Sequence, residues 1–548
     1  MYPATAGQDH LGLGSVSSAR ILASLSPGIN ALTYHPRYFS FYAFLLDEFW
    51  RRDRSRTSEG FKAFYRPREC IFSIGAHLCD RQEHQGTGRI VGSSKTNSLA
   101  SKKLKDYDAT TNYIKEDLGG YGLYYGSVMA DVGLVHPTGP GSPYKVDVLT
   151  DTGKEVADAF RQAVKSTRYY RDYFDDDSAC VPYPVVVEFI HHACLCQLQC
   201  PDAPDRPLLL NTFLRGLNKE ASDARRSTFR LFLDIAAQTQ GQALDADGFR
   251  QLLYFQSTDR GLIYEPRDSV RYTHRQWRLY QAREYYVFAL NTLWYYLCEW
   301  GVARGGDARP IPLSSFRQYL DASLTFDALA EHFHLPSPTL AETSPFVSLL
   351  DWLQEVVGAG EETGGFDGAC TLGSPLNEHL LYAAVMKRVR AHQFDTSLMI
   401  AGMIAMLAMI YLRFCSPALW LSDEWSIARM GGEQRLSMDG FVKTIRRRMQ
   451  SEHMTIGDIA RWLYDKYIIR QHQLTALSKM PQNNTFRFQR EGDRLRFYLM
   501  DNRLNFNDSR FESLSTTVHD LGLSGNFSRS NHPLTDDGLH ILDQGELP

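Results

Sequence analysis

The side chains best suited to chemistry crowd into one short stretch, His191-His192-Ala193-Cys194-Leu195-Cys196-Gln197-Leu198-Gln199-Cys200. Imidazole and thiolate are the ligands that zinc takes. On a helix, His192 and Cys196 would share a face, and so would Cys196 and Cys200. The spacing is not that of a Cys-x-x-Cys pair, and cysteine is also a common small buried hydrophobe. The expectation is therefore packing, with no metal or other cofactor assigned.

An acidic triplet, Asp175-Asp176-Asp177, offers a second set of metal ligands. No Glu-x-Lys partner follows at nuclease-like spacing, so a solvated boundary is expected, with a metal-dependent nuclease as the enzymatic alternative. Arg275, Tyr280, Arg283 and Glu284 make a polar stripe in a very aromatic segment, where an internal ion pair is expected before catalysis. The phosphate-loop, GxSxG, HExxH and kinase signatures are absent, and Gly86-Thr87-Gly88-Arg89-Ile90-Val91-Gly92 has the wrong spacing for a dinucleotide loop. An enzyme is the less favoured class, and no catalytic residue is assigned.

Cations offer a different chemistry, the neutralisation of phosphate. The net charge of -4 over 548 residues excludes a polycation, so contact must come from local patches. Three patches stand out: Lys102, Lys103 and Lys105; Arg446, Arg447 and Arg448; and Arg487, Arg494 and Arg496. The last three lie on two period-two runs, 485–490 and 494–499, joined by Glu491-Gly492-Asp493, which predict a β-hairpin with an apolar and a basic face.

The elements that must carry these residues are mostly helical. Tyr38 to Trp50 has the look of a buried helix ending in Arg51, Arg52, Arg54 and Arg56, cations that suit a helix C-terminus. A second helix is expected from Glu69 to Cys79. The segment QAREYYVFALNTLWYYLCEWG is apolar around nearly its whole circumference, which predicts burial, with Gly301 and Gly305-Gly306 ending it. Leu398 to Leu412 is strongly apolar but falls short of the roughly 20 residues of a membrane span. It reads as a core helix. Nine scattered cysteines read as reduced thiols, and residues 1–18 lack the pattern of an export signal, so a cytoplasmic protein without membrane contact is expected.

Two distant stretches echo each other. Asp131-Val132-Gly133-Leu134 and Asp520-Leu521-Gly522-Leu523 each end an amphipathic helix, and each is followed by a polar turn region and Leu-Thr-Asp-x-Gly, Leu149 to Gly153 and Leu534 to Gly538. Glycine stops the first helix, a hairpin follows, and Thr150 or Thr535 caps the next helix. The pattern resembles winged helix-turn-helix domains. The fold class expected is mainly α, a multidomain helical protein with two winged-helix-like (α+β) units. Its regions are an N-terminal helical region (1–100), a winged-helix-like domain (101–175), a helical middle domain (176–430) with a Gly-rich loop at 357–375, and a C-terminal winged-helix-like domain with the extra hairpin (431–548).

The segments LSPGINALTYHPRYFSFYAFLLDEFW, GGYGLYYGSVMADVGLV and RQWRLYQAREYYVFALN resemble those of poorly characterised bacterial proteins of anti-phage defence loci. That resemblance implies a bacterial cytoplasmic setting and a protein partner such as a helicase or nuclease, and it transfers no active-site residue. The function expected is a non-enzymatic DNA-binding or scaffolding subunit of a defence complex. Neither echo helix offers Arg, Lys, Asn or Gln to base edges, so any hold on duplex DNA would be led by phosphate. The alternative is a bridge to an ATPase, reminiscent of kleisin subunits.

Overall fold

The computed structural model describes residues 9–81, 84, 88–116, 119–139, 142, 144–216, 218–357, 375–431, 436–451, 453–504 and 506–546. Helix accounts for 61% and strand for 5%, which places the protein in the mainly α class. The chain gathers into two compact units, each from separated stretches: Met1–Leu22 with Asp247–Ser509, and Ala23–Ala246 with Arg510–Pro548. Most of the Gly-rich loop expected at 357–375 lies outside the described residues.

The unit built from Ala23–Ala246 and Arg510–Pro548 is organised around the aromatic helix Arg37–Arg51, whose residues 37–49 are all buried. Phe41 stacks on Phe72 at 4.1 Å between ring centroids, and Phe44 meets Phe160 at 5.3 Å. These rings pack it against Ser58–Leu78 and Asp151–Val164. Ser58–Leu78 starts eleven residues before the expected Glu69. Thr57 caps it by accepting from the Gly60 amide, and it runs through Pro67 without ending there. The arginines after Arg37–Arg51 bind its surroundings: Arg51 meets Asp47 at 2.5 Å, and Arg56 donates to the carbonyl oxygens of Trp50 at 2.8 Å and Arg52 at 2.7 Å. Cations at a helix C-terminus also oppose its partial negative charge.

Both echo segments lie in this unit and share the same glycine turn and threonine cap. In the first, Tyr121–Tyr125 and Gly126–Asp131 form a helix, Gly133 turns the chain at φ +82°, and Val135–His136 pairs with Val148–Leu149. Thr150 then caps Asp151–Val164: its hydroxyl accepts from the Gly153 amide at 3.1 Å and donates to the Gly133 carbonyl at 2.7 Å. In the second, Phe511–Asp520 is followed by Gly522 at φ +70° and by a bridge between Ser524 and Leu534. Thr535 caps Asp536–Gln544, accepting from Gly538 at 3.1 Å and donating to Gly522 at 2.8 Å. In both, a side chain on the capped glycine would overlap a carbonyl oxygen, that of Leu134 or Leu523.

The unit built from Met1–Leu22 and Asp247–Ser509 has the 36-residue helix Asp268–Ala303 as its axis. Its near-complete burial from Trp277 to Gly301 follows from the apolar circumference seen in the sequence, while Asp268, Ser269, Arg271 and Tyr272 at its start are exposed. Gly301 does not end it. A Cβ there would overlap the Phe497 ring, so this glycine serves close packing inside the helix, and the chain turns at Gly305, φ +69°. Ser397–Gly402 and Met403–Phe414 continue one another against it. The helical window Ser397–Phe414 is longer than the apolar run read from the sequence, and is long and apolar enough to cross a membrane, yet 83% of it is buried inside the protein, so burial rather than length marks it as a core helix. The polar stripe is an internal ion-pair network: Arg283 meets Glu284 at 3.2 Å, and Ser17 donates to Glu284 at 2.6 Å. Phe488–Glu491 and Arg494–Phe497 form the expected hairpin, extended to three strands by Ile311–Pro312 on the outer side of Arg494–Phe497.

Candidate functional site

In the unit containing the echo segments, the short helix Ser93–Ser101 sets out cations at both ends. Gly92, at φ +70°, opens it without a side-chain cap, and a Cβ there would overlap the Tyr113 ring. The Ser93 amide donates to the Ile90 carbonyl at 3.1 Å, and with no acidic residue in the first turn the positive end of the helix dipole is left without an opposing charge there. This turn borders a cleft of about 710 Å³ lined by Arg89, Lys95, Lys115, Tyr34 and Tyr124, among others. The Arg89 guanidinium lies over the Tyr34 ring at 4.2 Å. Tyr113 forms part of the floor, and its hydroxyl donates to the buried Glu69, which also accepts from Tyr42 and from the Gly120 amide at 3.0 Å. Burial raises the Glu69 carboxyl above its usual value despite those donors.

At the other end of the same helix stand Lys102, Lys103 and Lys105, all exposed and in no ion pair among the described residues. Lys103 adopts φ +46°, so the lysines sit on a tight turn. Sequence reasoning named these three but missed Arg89, Lys95 and Lys115, which are spread over 27 positions and come together only in the fold.

The six arginines singled out in the other unit are a mixed group. Arg487 is 2% exposed, its amide donating to His472 at 3.0 Å, so it does not belong to an exposed basic face. Strand alternation fails there because the strand begins only at Phe488. Arg496 pairs with Glu491 at 2.7 Å. Arg494 is exposed, with Glu491 opposite it in register. Arg446 donates to the Cys415 carbonyl at 2.6 Å, and Arg448 lies over Trp462 at 5.0 Å. Arg447 is exposed.

No protein-family model, curated protein or solved structure matches this chain.

Two of the three acidic residues pair with arginines: Asp175 meets Arg52 at 2.5 Å, and Asp177 meets Arg54 at 2.5 Å and Arg68 at 2.8 Å. Asp176 accepts from the Ser178 amide and hydroxyl, both at 2.9 Å. Carboxylates so engaged are poor ligands for a catalytic metal. Of the echo helices, Phe511–Asp520 is largely buried, leaving Glu512, Thr516 and His519 part-exposed. The first exposes Gly122, Leu123, Ser127 and Asp131. Neither surface carries a cation toward a base edge.

The Cys-rich stretch differs from its reading as one helix. Tyr183–Ala193 ends before Cys194, and Leu195–Gln199 is a 3-10 turn, so His192, Cys196 and Cys200 do not line a single helical face. Instead Cys194 and Cys196 turn toward Cys79 and His84, and the four ligand atoms all lie within 4.8 Å of one another. Hydrogen bonds from Cys194 and Cys196 hold the Cys79 thiol well below its ordinary range, while burial drives Cys194 well above it. His191 points elsewhere, 3.0 Å from Asp80.

Proposed function

We propose that this protein is a non-enzymatic contact subunit that holds duplex DNA by its phosphates, within a bacterial defence complex that supplies the chemistry through a partner such as a helicase or nuclease. The observation that carries the reading is the Ser93–Ser101 helix. It has exposed lysines at 102, 103 and 105 at one end, and an N-terminus without a side-chain cap beside Arg89, Lys95 and Lys115 at the other. Cations gathered at the two ends of one helix suit contact with a phosphate backbone. The echo segments act in this reading as winged-helix-like packing modules, since their helices offer no base-reading side chain. The defence setting rests on the sequence resemblance alone.

A second reading, protein docking by the first echo module, is favoured by its exposed apolar side chains, Leu123 at 39% and Tyr144 at 51%. Gel retardation of a labelled duplex at low salt separates the two. Phosphate contact predicts a shift that is lost on changing Lys102, Lys103 and Lys105 together to Ala and kept in Leu123→Ser. No shift by the intact protein removes the DNA reading.

A further inference from the structure

The four side chains Cys79, His84, Cys194 and Cys196 lie in the same unit as the cationic helix but play no part in the proposed contact. We propose that they bind one zinc ion as a closed, structural Cys3His site.

The fold delivers them from three separate points. Cys79 is the residue that ends helix Ser58–Leu78, and Cys194 ends Tyr183–Ala193. These helices cross closely because Gly75 leaves room for Ile190 and Val186, where an added Cβ would lie 3.1 Å from Ile190 Cβ. The close crossing brings the two C-terminal ends together. The chain then bends sharply at Cys194, φ -56° and ψ 150°, and returns Cys196 to the same place. Arg37 fixes that bend by donating to the Cys194 carbonyl at 2.5 Å while paired with Asp205 at 3.2 Å. His84 arrives from the segment after Cys79.

The spacing is that of a tetrahedron around a metal. With zinc–sulfur bonds of about 2.3 Å and zinc–nitrogen of about 2.0 Å, ideal edges are about 3.8 Å between sulfurs and about 3.5 Å between sulfur and nitrogen. Cys79 Sγ lies 3.8 Å from Cys196 Sγ, and Cys194 Sγ lies 3.2 Å from His84 Nδ1. None of these thiols forms a disulfide. Simple burial of cysteine as a hydrophobe explains Cys70 and Cys298, which sit in the core of their units. It does not explain three sulfurs and an imidazole nitrogen converging on one point, the single such group among the described residues.

On binding, the three thiols give up their protons to solvent, leaving a zinc tris-thiolate with one negative charge. Arg81 stands beside it, donating to Cys200 Sγ at 3.4 Å. Four protein ligands leave no open position for a substrate water, so the role is to hold the segment after helix Ser58–Leu78 to the rest of the unit.

The test is elemental analysis of the full chain purified without chelator, followed by cobalt(II) titration of the metal-stripped protein. The expected result is about one zinc per chain and a thiolate-to-cobalt charge-transfer band that saturates at one equivalent. Cys79→Ser and Cys196→Ser lose the zinc, whereas Cys180→Ser, at an exposed thiol outside the cluster, retains it. Wild-type protein with neither zinc nor a cobalt band overturns the proposal, as do undiminished zinc in Cys196→Ser and iron with acid-labile sulfide in place of zinc. Because wild-type metal content is read directly, a variant that fails to fold does not shield the idea.

Discussion

His35 is held between two acceptors, Asp520 Oδ2 at 2.6 Å and the Gly88 carbonyl at 2.8 Å. Burial works against a charged imidazolium there, but Asp520 and the carbonyl outweigh it, and the residue titrates above its ordinary value. A folded value above the unfolded one gives stabilisation that is complete below about pH 6.5 and is lost as pH rises through the folded value. Asp520→Asn is therefore expected to lower the urea midpoint most near pH 6, the gap narrowing toward pH 9. A gap that widens with pH contradicts this. Arg487 makes a second test. Buried at 2% exposure, Arg487→Ala should lower stability by about 0.5–3 kcal/mol and leave DNA affinity unchanged in conditions where the variant is folded. At this scale the sequence was informative where charge density alone decides exposure, as at Lys102, Lys103 and Lys105. It misled where a residue sits one place outside its strand, as Arg487 does. Cys79 and His84 were not legible as partners of Cys194 and Cys196, because more than a hundred residues separate them and only the helix crossing at Gly75 joins them.

The two echo segments carry the clearest expectations for single elements. Thr150→Ala and Thr535→Ala each remove a cap worth about 1 kcal/mol, which equilibrium unfolding would register. Gly538→Ala should cost more, about 1–3 kcal/mol, because the new methyl would overlap the Leu523 carbonyl and the backbone must move. Equal, negligible costs for the two kinds of change would mean that the capped turn is not formed as described. The echo could be read from sequence because the cap is local: in Leu-Thr-Asp-x-Gly the glycine amide donates to the threonine hydroxyl three residues before it. The end of Asp268–Ala303 could not, since Gly301 carries the same letter whether it stops a helix or admits the Phe497 ring. The hairpin at 488–497 was legible from its alternation, but its third strand, Ile311–Pro312, is too short to announce itself.

For the whole molecule, the helical class followed directly from apolar periodicity, whereas the core position of the run at 398–412 rests on its burial, since the helix that contains it is long enough to span a membrane. The assembly of each unit from distant stretches did not follow from the sequence. Nothing in the composition of 510–548 says that it completes a unit begun at Ala23, because that pairing rests on side-chain contacts such as His35 with Asp520 and Arg206 with Asp537 at 2.6 Å. The cationic cleft shares this origin, since Arg89, Lys95 and Lys115 are unremarkable as neighbours in sequence. The central claim, contact through phosphate, is tested most directly by the salt dependence of duplex binding, followed by fluorescence anisotropy. Each phosphate contact contributes about 0.9 to the slope of log affinity against log salt, so changing Lys102, Lys103 and Lys105 to Ala should flatten it by about 2–3. An intact protein that leaves the anisotropy unchanged at low salt, or a triple variant with the wild-type slope, would contradict the account.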